Sequence, residues 1–237
     1  MEKVERAIIL AAGEGKRLRP ITLKTPKPLV CVNGVRLIDT SINALKKNGI
    51  HEIYIVTGYK KEQFYETYEH DSDIHIIENP YYEKGNNITS MYFVRDVIPG
   101  SFILEGDFYV NNEKIFNPDV QVSGYCATRM EKVPEWMLKV ENDRIVSCEI
   151  SGGENGYRLW GASMWTKKDG IMLSELIKRQ IEEKKDWSIY WDEIALDLKK
   201  ECFNLGVRKI GINDITEIDT LEELATIDSK YSSYLRG

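Results

Sequence analysis

The sequence contains no long hydrophobic run and no cluster of metal-binding cysteines or histidines. Its longest apolar stretches, such as Ala7–Ala12, are far shorter than the roughly 20 residues that cross a bilayer. Its first residues contain no apolar segment of secretory length. Its four cysteines show no Cys-x-x-Cys spacing and have no histidine pair near them. This pattern argues against a zinc site and against a disulfide framework. We therefore predict a cytoplasmic protein with reduced thiols and no membrane partner.

The chain also lacks a net positive charge and any linker-like stretch. The net charge of −6 argues against nucleic acid as a partner, because such binding needs a basic face. No stretch rich in proline, glycine or serine divides the 237 residues, and no repeat is present. We predict one domain over residues 1–237, with a nucleotide-binding half (about 1–120) and an acceptor-binding half (about 121–237).

The order of predicted elements indicates an α/β fold. Strands alternate with helices as far as a strand at 102–105, which predicts a doubly wound, mostly parallel mixed sheet of Rossmann-like type. Beyond about residue 120, strands follow one another closely, which predicts a smaller antiparallel part that binds the acceptor. Helices are predicted at 191–200 and at 220–231. Ligands of such sheets bind at the carboxyl ends of the parallel strands.

A glycine-containing loop follows the first buried strand. Ala7–Ala12 leads into Gly13, Gly15 and the cations Lys16, Arg17 and Lys27. The loop is either an ordinary strand-to-helix turn with solvated basic residues or a backbone cradle for phosphates. It is not a dinucleotide fingerprint, because Leu18 stands where the third glycine belongs. It is not a P-loop either, because Arg17 follows Lys16 in place of serine or threonine.

Two aspartates lie where a metal ion is plausible. Asp107 follows the strand that ends at Glu105, so it is either a magnesium ligand or the cap of the next turn. Asp219 precedes the last helix, where an N-cap is the ordinary role of an aspartate. Amides and hydroxyls that include Asn87 and Ser90 either cap a helix or hydrogen-bond a pyrimidine. Gly58, after the second strand, adds backbone to the same pocket.

Aromatic residues are concentrated in the second half of the chain. They belong to the hydrophobic core or to a cage for a quaternary ammonium group, which aromatic faces attract. For Trp165, in an alternating strand, the core is the favoured interpretation. The candidates for such a cage, with a counter-charge, are Trp136, Trp160, Tyr190, Trp191 and Asp192. The residues alone leave the core and the cage open, and the cage is favoured only by the resemblance described next.

The run Leu10-Ala11-Ala12-Gly13-x-Gly15-x-Arg17-Leu18-x-Pro20-x-Thr22, followed by Pro26-Lys27-Pro28-Leu29, resembles the N-terminal motif of nucleotidyltransferases. The similarity extends along the chain, and later stretches look most like the bacterial CTP:phosphocholine cytidylyltransferases. The resemblance implies that Arg17, Lys27 and Asp107 are catalytic and that Asp107 and Asp219 bind Mg²⁺. It implies a nucleotide site formed by Leu10, Ala11, Ala12, Gly13, Glu14, Gly15, Lys16, Arg17, Gly58, Asn87, Ser90 and Glu105.

The resemblance further implies that CTP and phosphocholine react to give CDP-choline and pyrophosphate. The phosphate of phosphocholine is largely a dianion at neutral pH, so no general base is required. Three alternatives stay open. They are the same reaction on 2-aminoethylphosphonate or another phospho-amine, nucleotidyl transfer to a sugar 1-phosphate, and a non-catalytic nucleotide-binding module. Neither the oligomeric state nor membership of a longer bifunctional chain follows from the sequence.

Overall fold

One central sheet contains strands from both halves of the chain. The computed structural model describes residues 1–236. Its strands are β1 (Glu2–Lys3), β2 (Arg6–Ala11), β3 (Cys31–Val32), β4 (Val35–Arg36), β5 (Glu52–Thr57), β6 (Ile74–Glu78), β7 (Ser101–Glu105), β8 (Phe108–Val110), β9 (Asp119–Val120), β10 (Gly124–Val133), β11 (Met137–Glu141), β12 (Arg144–Glu149), β13 (Gly153–Met164), β14 (Gly206–Lys209) and β15 (Ile215–Glu217). Its α-helices are α1 (Leu37–Lys47), α2 (Lys61–Tyr68), α3 (Ile88–Phe93), α4 (Lys167–Glu182) and α5 (Leu221–Ile227).

The central sheet has nine strands in the order β10-β14-β12-β11-β13-β7-β2-β5-β6. The strands β7, β2, β5 and β6 are parallel, so their carboxyl ends meet at one edge. The strand β13 pairs antiparallel with β7, with Ala162 opposite Leu104. The predicted mixed α/β sheet is confirmed, and its antiparallel part continues directly from the parallel part.

Helices cover both faces of the parallel strands because the side chains of β2 alternate between two cores. Ala7 and Ile9 pack with the apolar faces of α1 and α2, whereas Ile8 and Leu10 pack with those of α3 and α4. All four side chains are buried. A strand buried on both faces is apolar at every position, which explains the uninterrupted apolar run before the glycine loop.

A third core joins the C-terminal helix to the loop after β2. Leu18 of that loop packs with Ile218 and Leu224. The short strand β15 pairs antiparallel with β8, so that Glu217 lies opposite Phe108. These two contacts bring residues 217–219 to the carboxyl edge of the parallel strands.

Two predicted helices differ from the observed ones. In place of a helix over 191–200, the chain forms a π-helical turn at Ile194–Leu198. The preceding backbone N–H groups are bound by side chains, since Tyr190 N–H donates to Glu193 and Trp191 N–H donates to Asn87. The last helix ends at Ile227 and continues as 3₁₀ turns. Within residues 1–236, no helix combines the length and the apolar character needed to cross a membrane.

Candidate active site

The glycine loop packs directly against Lys27. Gly15 has a φ of +61°, and a Cβ atom there would lie 2.9 Å from the Cβ of Lys27. A left-handed conformation and a close approach both favour glycine at this position. Thr22 Oγ1 donates to the carbonyl oxygen of Gly15 at 2.9 Å, which fixes the loop from below.

The basic residues of the loop differ in their surroundings. Lys16 is exposed and pairs with Glu14 at 3.1 Å, so neither side chain reaches the carboxylates at the strand ends. Arg17 is also exposed, but its Nη2 lies 2.8 Å from Oδ1 of Asp219. Arg17 is therefore the loop cation that the fold brings to the predicted metal ligands.

Lys27 is buried between the two predicted metal ligands. Its Nζ lies 2.6 Å from Oδ2 of Asp107 and 2.8 Å from Oδ1 of Asp219. Burial lowers the pKa of Lys27, but the charges and hydrogen bonds of the two aspartates raise it by more, and the net pKa is above the ordinary value. Lys27 therefore carries a positive charge at neutral pH.

A third carboxylate, Glu217, completes the acidic cluster. One oxygen each from Asp107, Glu217 and Asp219 lies within 4.8 Å of the other two. Oδ1 of Asp107 is buried and receives no hydrogen bond within residues 1–236. Burial raises the pKa of Glu217 to about 8, and the charges of Asp107 and Asp219 act in the same direction. The three carboxylate groups offer hard oxygen ligands, and Oδ1 of Asp107 is not occupied by a hydrogen-bond donor. This arrangement fits a divalent cation such as Mg²⁺.

Asp219 is free to face this cluster because its neighbour caps the helix. Thr220 is the N-cap of α5, and its hydroxyl accepts from the Glu223 N–H at 3.2 Å. The Glu223 side chain accepts in return from the N–H groups of Asp219 and Thr220. This capping box satisfies the helix start, which leaves the Asp219 carboxylate to Lys27 and Arg17.

A small pocket lies beside the glycine loop. Its volume is about 220 Å³, and its lining includes Leu10, Ala12, Gly13, Ser90 and Asn79. The side chain of Ala11 belongs to the hydrophobic core instead, as expected from strand alternation. The pocket lining therefore includes residues of the glycine loop and of α3.

Gly58 supports the same pocket from behind. A Cβ at Gly58 would lie 2.6 Å from the ring of Tyr82, and Tyr82 lines the pocket. The pocket floor is Glu105, which accepts a hydrogen bond from Asn87 Nδ2 at 3.2 Å. Burial, followed by the charges of neighbouring carboxylates, raises the pKa of Glu105 well above its usual range.

A larger cavity of about 590 Å³ adjoins the small pocket, and its lining includes Arg17, Asp107, Trp136, Tyr190 and Asp192. Asn87 and Glu105 line both cavities. The rings of Trp136 and Tyr190 are nearly perpendicular, with centroids 5.7 Å apart. Asp192 is buried, and one of its oxygens has no hydrogen-bond donor in the described part of the chain. Burial raises the pKa of Asp192 to about 7.

The structure does not bring Trp160 or Trp191 into this cavity, which corrects their assignment to an aromatic cage. Trp160 lies on β13 between the two cavity-lining residues Leu159 and Gly161, so its side chain points to the opposite face. Its indole N–H donates to Thr128 at 2.9 Å inside the core. Trp191 is buried and stacks on Tyr125, with ring centroids 6.1 Å apart.

Comparisons with known proteins identify the family of this chain. Residues 6–115 match the Nucleotidyl transferase family model. The 2-aminoethylphosphonate cytidylyltransferase of Lancefieldella rimae is 33% identical over 98% of this chain and 95% of its own length. The choline-phosphate cytidylyltransferase of Streptococcus pneumoniae is 32% identical over 94% of this chain and 96% of its own length. The chain belongs to the cytidylyltransferase family.

The structure of this cytidylyltransferase is also similar to a solved relative. A structure described as CTP:phosphocholine cytidylyltransferase from Streptococcus pneumoniae superposes with a TM-score of 0.87 and 31% identity, covering 97% of this chain and 99% of the other. The enzyme class predicted from the sequence, a nucleotidyltransferase, is confirmed.

Sequence reasoning missed several residues of the cytidylyltransferase site. Glu217 and Asn79 were not assigned, although Glu217 ends β15 and Asn79 directly follows β6. Glu217 had a usable signal, because it is two residues from Asp219 and alternate residues of an extended stretch face the same side. Arg158, whose Nη2 lies 3.0 Å from Glu217, had none.

Proposed function

We propose that the protein transfers CMP from CTP to phosphocholine, giving CDP-choline and pyrophosphate. The small pocket beside the glycine loop takes the nucleobase, and the larger cavity takes the acceptor. The acidic cluster with Lys27 and Arg17 lies between them, where the reacting phosphates meet. The relatives described as choline-phosphate cytidylyltransferase and 2-aminoethylphosphonate cytidylyltransferase support a cytidine nucleotide as the donor and an amine that carries a phosphate or phosphonate group as the acceptor.

The observation that carries the choline assignment is the perpendicular pair formed by Trp136 and Tyr190. The two rings line the same cavity as Asp192. Each aromatic face attracts a quaternary ammonium group by roughly 0.5 to 2 kcal/mol, depending on desolvation. The buried carboxylate of Asp192 adds a negative charge. The trimethylammonium group has no N–H group to donate, but its positive charge attracts this carboxylate through space.

In the proposed reaction, a phosphate oxygen of the acceptor attacks the α-phosphorus of CTP. The new P–O bond forms as the bond between the α-phosphorus and the bridging oxygen breaks, and pyrophosphate leaves with the electron pair. Lys27 and Arg17 neutralise the charge of the two phosphorylated substrates and hold them in line. The enzyme forms no covalent intermediate and needs no general base, since the attacking phosphate is already ionised.

We further propose that Asp107 and Asp219, with Glu217, hold Mg²⁺. Bound there, the ion would stabilise the negative charge that develops on the transferred phosphate. We expect a chelator to abolish turnover and added Mg²⁺ to restore it. Asp107→Asn should abolish turnover with an unchanged circular dichroism spectrum, and near-normal activity of this variant would rule out the metal assignment.

A second candidate acceptor is 2-aminoethylphosphonate. Two of the four predicted cage aromatics lie in the core, whereas the cavity is also lined by Glu135 and Asp192. A primary ammonium group prefers carboxylates and hydrogen-bond acceptors to aromatic faces. This balance, together with the relative from Lancefieldella rimae, favours testing both acceptors.

The deciding assay measures pyrophosphate release with CTP or UTP against phosphocholine, phosphoethanolamine, 2-aminoethylphosphonate and glucose 1-phosphate. We expect the highest kcat/KM with CTP and phosphocholine. Trp136→Ala should raise the KM for phosphocholine by roughly threefold to thirtyfold, the value of one aromatic face, with little change in the KM for CTP. Tyr65→Ala, an exposed aromatic on α2, is the matched control. No release with CTP and phosphocholine would exclude the proposed acceptor.

A further inference from the structure

The wall of the small pocket contains two hydroxyl groups that are almost completely buried, those of Thr89 and Ser90. Ser90, on α3, is 3% exposed and lines the pocket with Leu10 and Gly13. A hydroxyl group both donates and accepts, so by itself it does not distinguish a donor from an acceptor on a ligand. Whatever fixes the direction of the Ser90 proton therefore decides which ligand atoms this wall accepts.

Asn79 fixes that direction. It is 2% exposed, and its Oδ1 accepts from the N–H of Tyr81 at 2.9 Å. Because this N–H requires an acceptor, the amide nitrogen must occupy the other position. There Nδ2 donates to Thr89 Oγ1 at 2.9 Å and to Ser90 Oγ at 3.0 Å. Both protons of the amide are then used, and both hydroxyl oxygens act as acceptors.

The protons of the two hydroxyl groups go to different places. Thr89 Oγ1 donates to the carbonyl oxygen of Asn86 at 2.8 Å, within the first turn of the helix. The proton of Ser90 has no acceptor among residues 1–236, and the side chain faces the pocket. Ser90 is thus held as a hydrogen-bond donor toward whatever fills the pocket.

We infer that Asn79 is a specificity-determining residue that positions Ser90 as a donor to N3 of cytosine. Cytosine has an acceptor at N3, whereas uracil has an N–H group there. A donor locked in this direction pairs with cytosine and opposes uracil. The inference rests on the proposed function, in which the nucleotide is CTP, and explains how that site rejects UTP.

The test reverses the polarity with Asn79→Asp. When the introduced carboxylate is ionised, it accepts from both hydroxyl groups, so Ser90 can only accept from the base. Because burial raises the pKa of a carboxyl group at this position, the affinities are measured over a range of pH from neutral to alkaline. Titration calorimetry with CTP and UTP, without an acceptor, should show the ratio of the two affinities fall by roughly tenfold or more in the direction of UTP, the cost of one mismatched buried hydrogen bond. In the same assay, Ser90→Ala should weaken CTP binding, because it removes the donor to cytosine, and strengthen UTP binding, because it removes the donor that opposes the uracil N–H group.

Thr89→Val is the matched control, because it removes the other partner of Asn79 without changing the direction of the Ser90 proton. It should affect CTP and UTP equally. Equal affinity of the wild-type protein for CTP and UTP, or an unchanged ratio in a folded Asn79→Asp variant, would overturn the inference. If Asn79→Asp does not fold, an unchanged ratio in Ser90→Ala overturns it. Failure of the proposed function is separate, since it removes pyrophosphate release with phosphocholine but not the CTP preference in binding.

Discussion

The single positive charge of Lys27 links the two acidic segments of the site. Its ammonium group contacts Asp107 from the end of β7 and Asp219 from the start of α5, which are 112 positions apart in the sequence and come together through this contact. The negative charges of Asp107 and Asp219 repel each other. The positive charge of Lys27 between them offsets that repulsion in a poorly solvated setting.

Replacing Lys27 with methionine keeps the length of the side chain and removes its charge. We expect kcat to fall by roughly 10² to 10³, the usual cost of deleting a group that stabilises transition-state charge. Steady-state pyrophosphate release measures the change. Lys24→Met, at an exposed position of the same loop, is the matched control and should behave as the wild type. A Lys27→Met variant with normal kcat would remove Lys27 from the reaction.

Asp192 gives the larger cavity a charge that depends on pH. Its carboxyl group is buried, and the groups that act on it are the Tyr125 hydroxyl, the charge of Glu193 and the nearby carboxyl of Glu105. Its folded pKa of about 7 lies above its ordinary value. The folded state therefore binds this proton more tightly than the unfolded state, so its contribution to stability is present below about pH 4 and is lost as the pH rises to about 7.

We expect Asp192→Asn to stabilise the protein relative to the wild type at pH 8 and to have little effect on stability at pH 4. The difference in the free energy of unfolding is of order 3 to 4 kcal/mol at most, and urea unfolding at the two pH values measures it. The KM of the wild type for phosphocholine should fall between pH 6 and pH 8 as Asp192 ionises. A KM with the same pH profile in Asp192→Asn would show that another group is responsible.

Two segments that are distant in sequence form the wall between the two cavities. Asn86 N–H donates to the carbonyl oxygen of Trp187 at 2.7 Å, and Asn87 Oδ1 accepts from the Trp191 N–H at 3.0 Å. The residues at the start of α3 thus hold the segment that carries Tyr190 and Asp192. The wall of the small pocket and the wall of the larger cavity share one set of hydrogen bonds.

Asn87→Ala removes the bond to Trp191 and the bond to Glu105 together. We expect the KM values for CTP and for phosphocholine to rise together, by roughly threefold to tenfold each, as for the loss of one or two net hydrogen bonds. Asn111→Ala, an exposed asparagine bonded to Thr216, controls for removal of an amide elsewhere. An increase confined to CTP would mean that the two walls act independently.

Some residues of the candidate site could be predicted from the sequence and others could not. The glycine loop and Asp107 were predictable because a strand end fixes their place at the ligand edge. Asn79 owes its position to side-chain bonds between the end of β6 and α3, which no local pattern encodes. The place of Glu217 depends on the pairing of β15 with β8, and its alternation with Asp219 is its one local signal. Alternation showed that Trp160 faces one side of β13, but which side is the core depends on the neighbouring strands.

At the scale of the molecule, the two halves share one sheet. The strand β13 of the second half pairs with β7 of the first, and β15 pairs with β8. Each half therefore ends in a strand edge whose N–H and C=O groups are bonded by the other. A single domain over residues 1–237 stays a prediction, and it has a direct test.

Residues 1–120 and 121–237, produced separately, should each fail to fold cooperatively, because each exposes an apolar sheet edge and part of a shared core. Circular dichroism with thermal denaturation measures this. Mixing the two fragments should restore a cooperative transition and pyrophosphate release. A cooperative transition in either isolated fragment would show two independent folding units.

Three residues that line the larger cavity lie outside the parallel strands. Trp136 immediately precedes β11, and Tyr190 and Asp192 lie in the connection that follows α4. Their side chains can be exchanged without repacking β2, β5, β6 or β7. The scaffold is thus suited to engineering: a library restricted to these three positions would sample new phosphorylated amines as acceptors while the chemistry at the nucleotide is inherited unchanged.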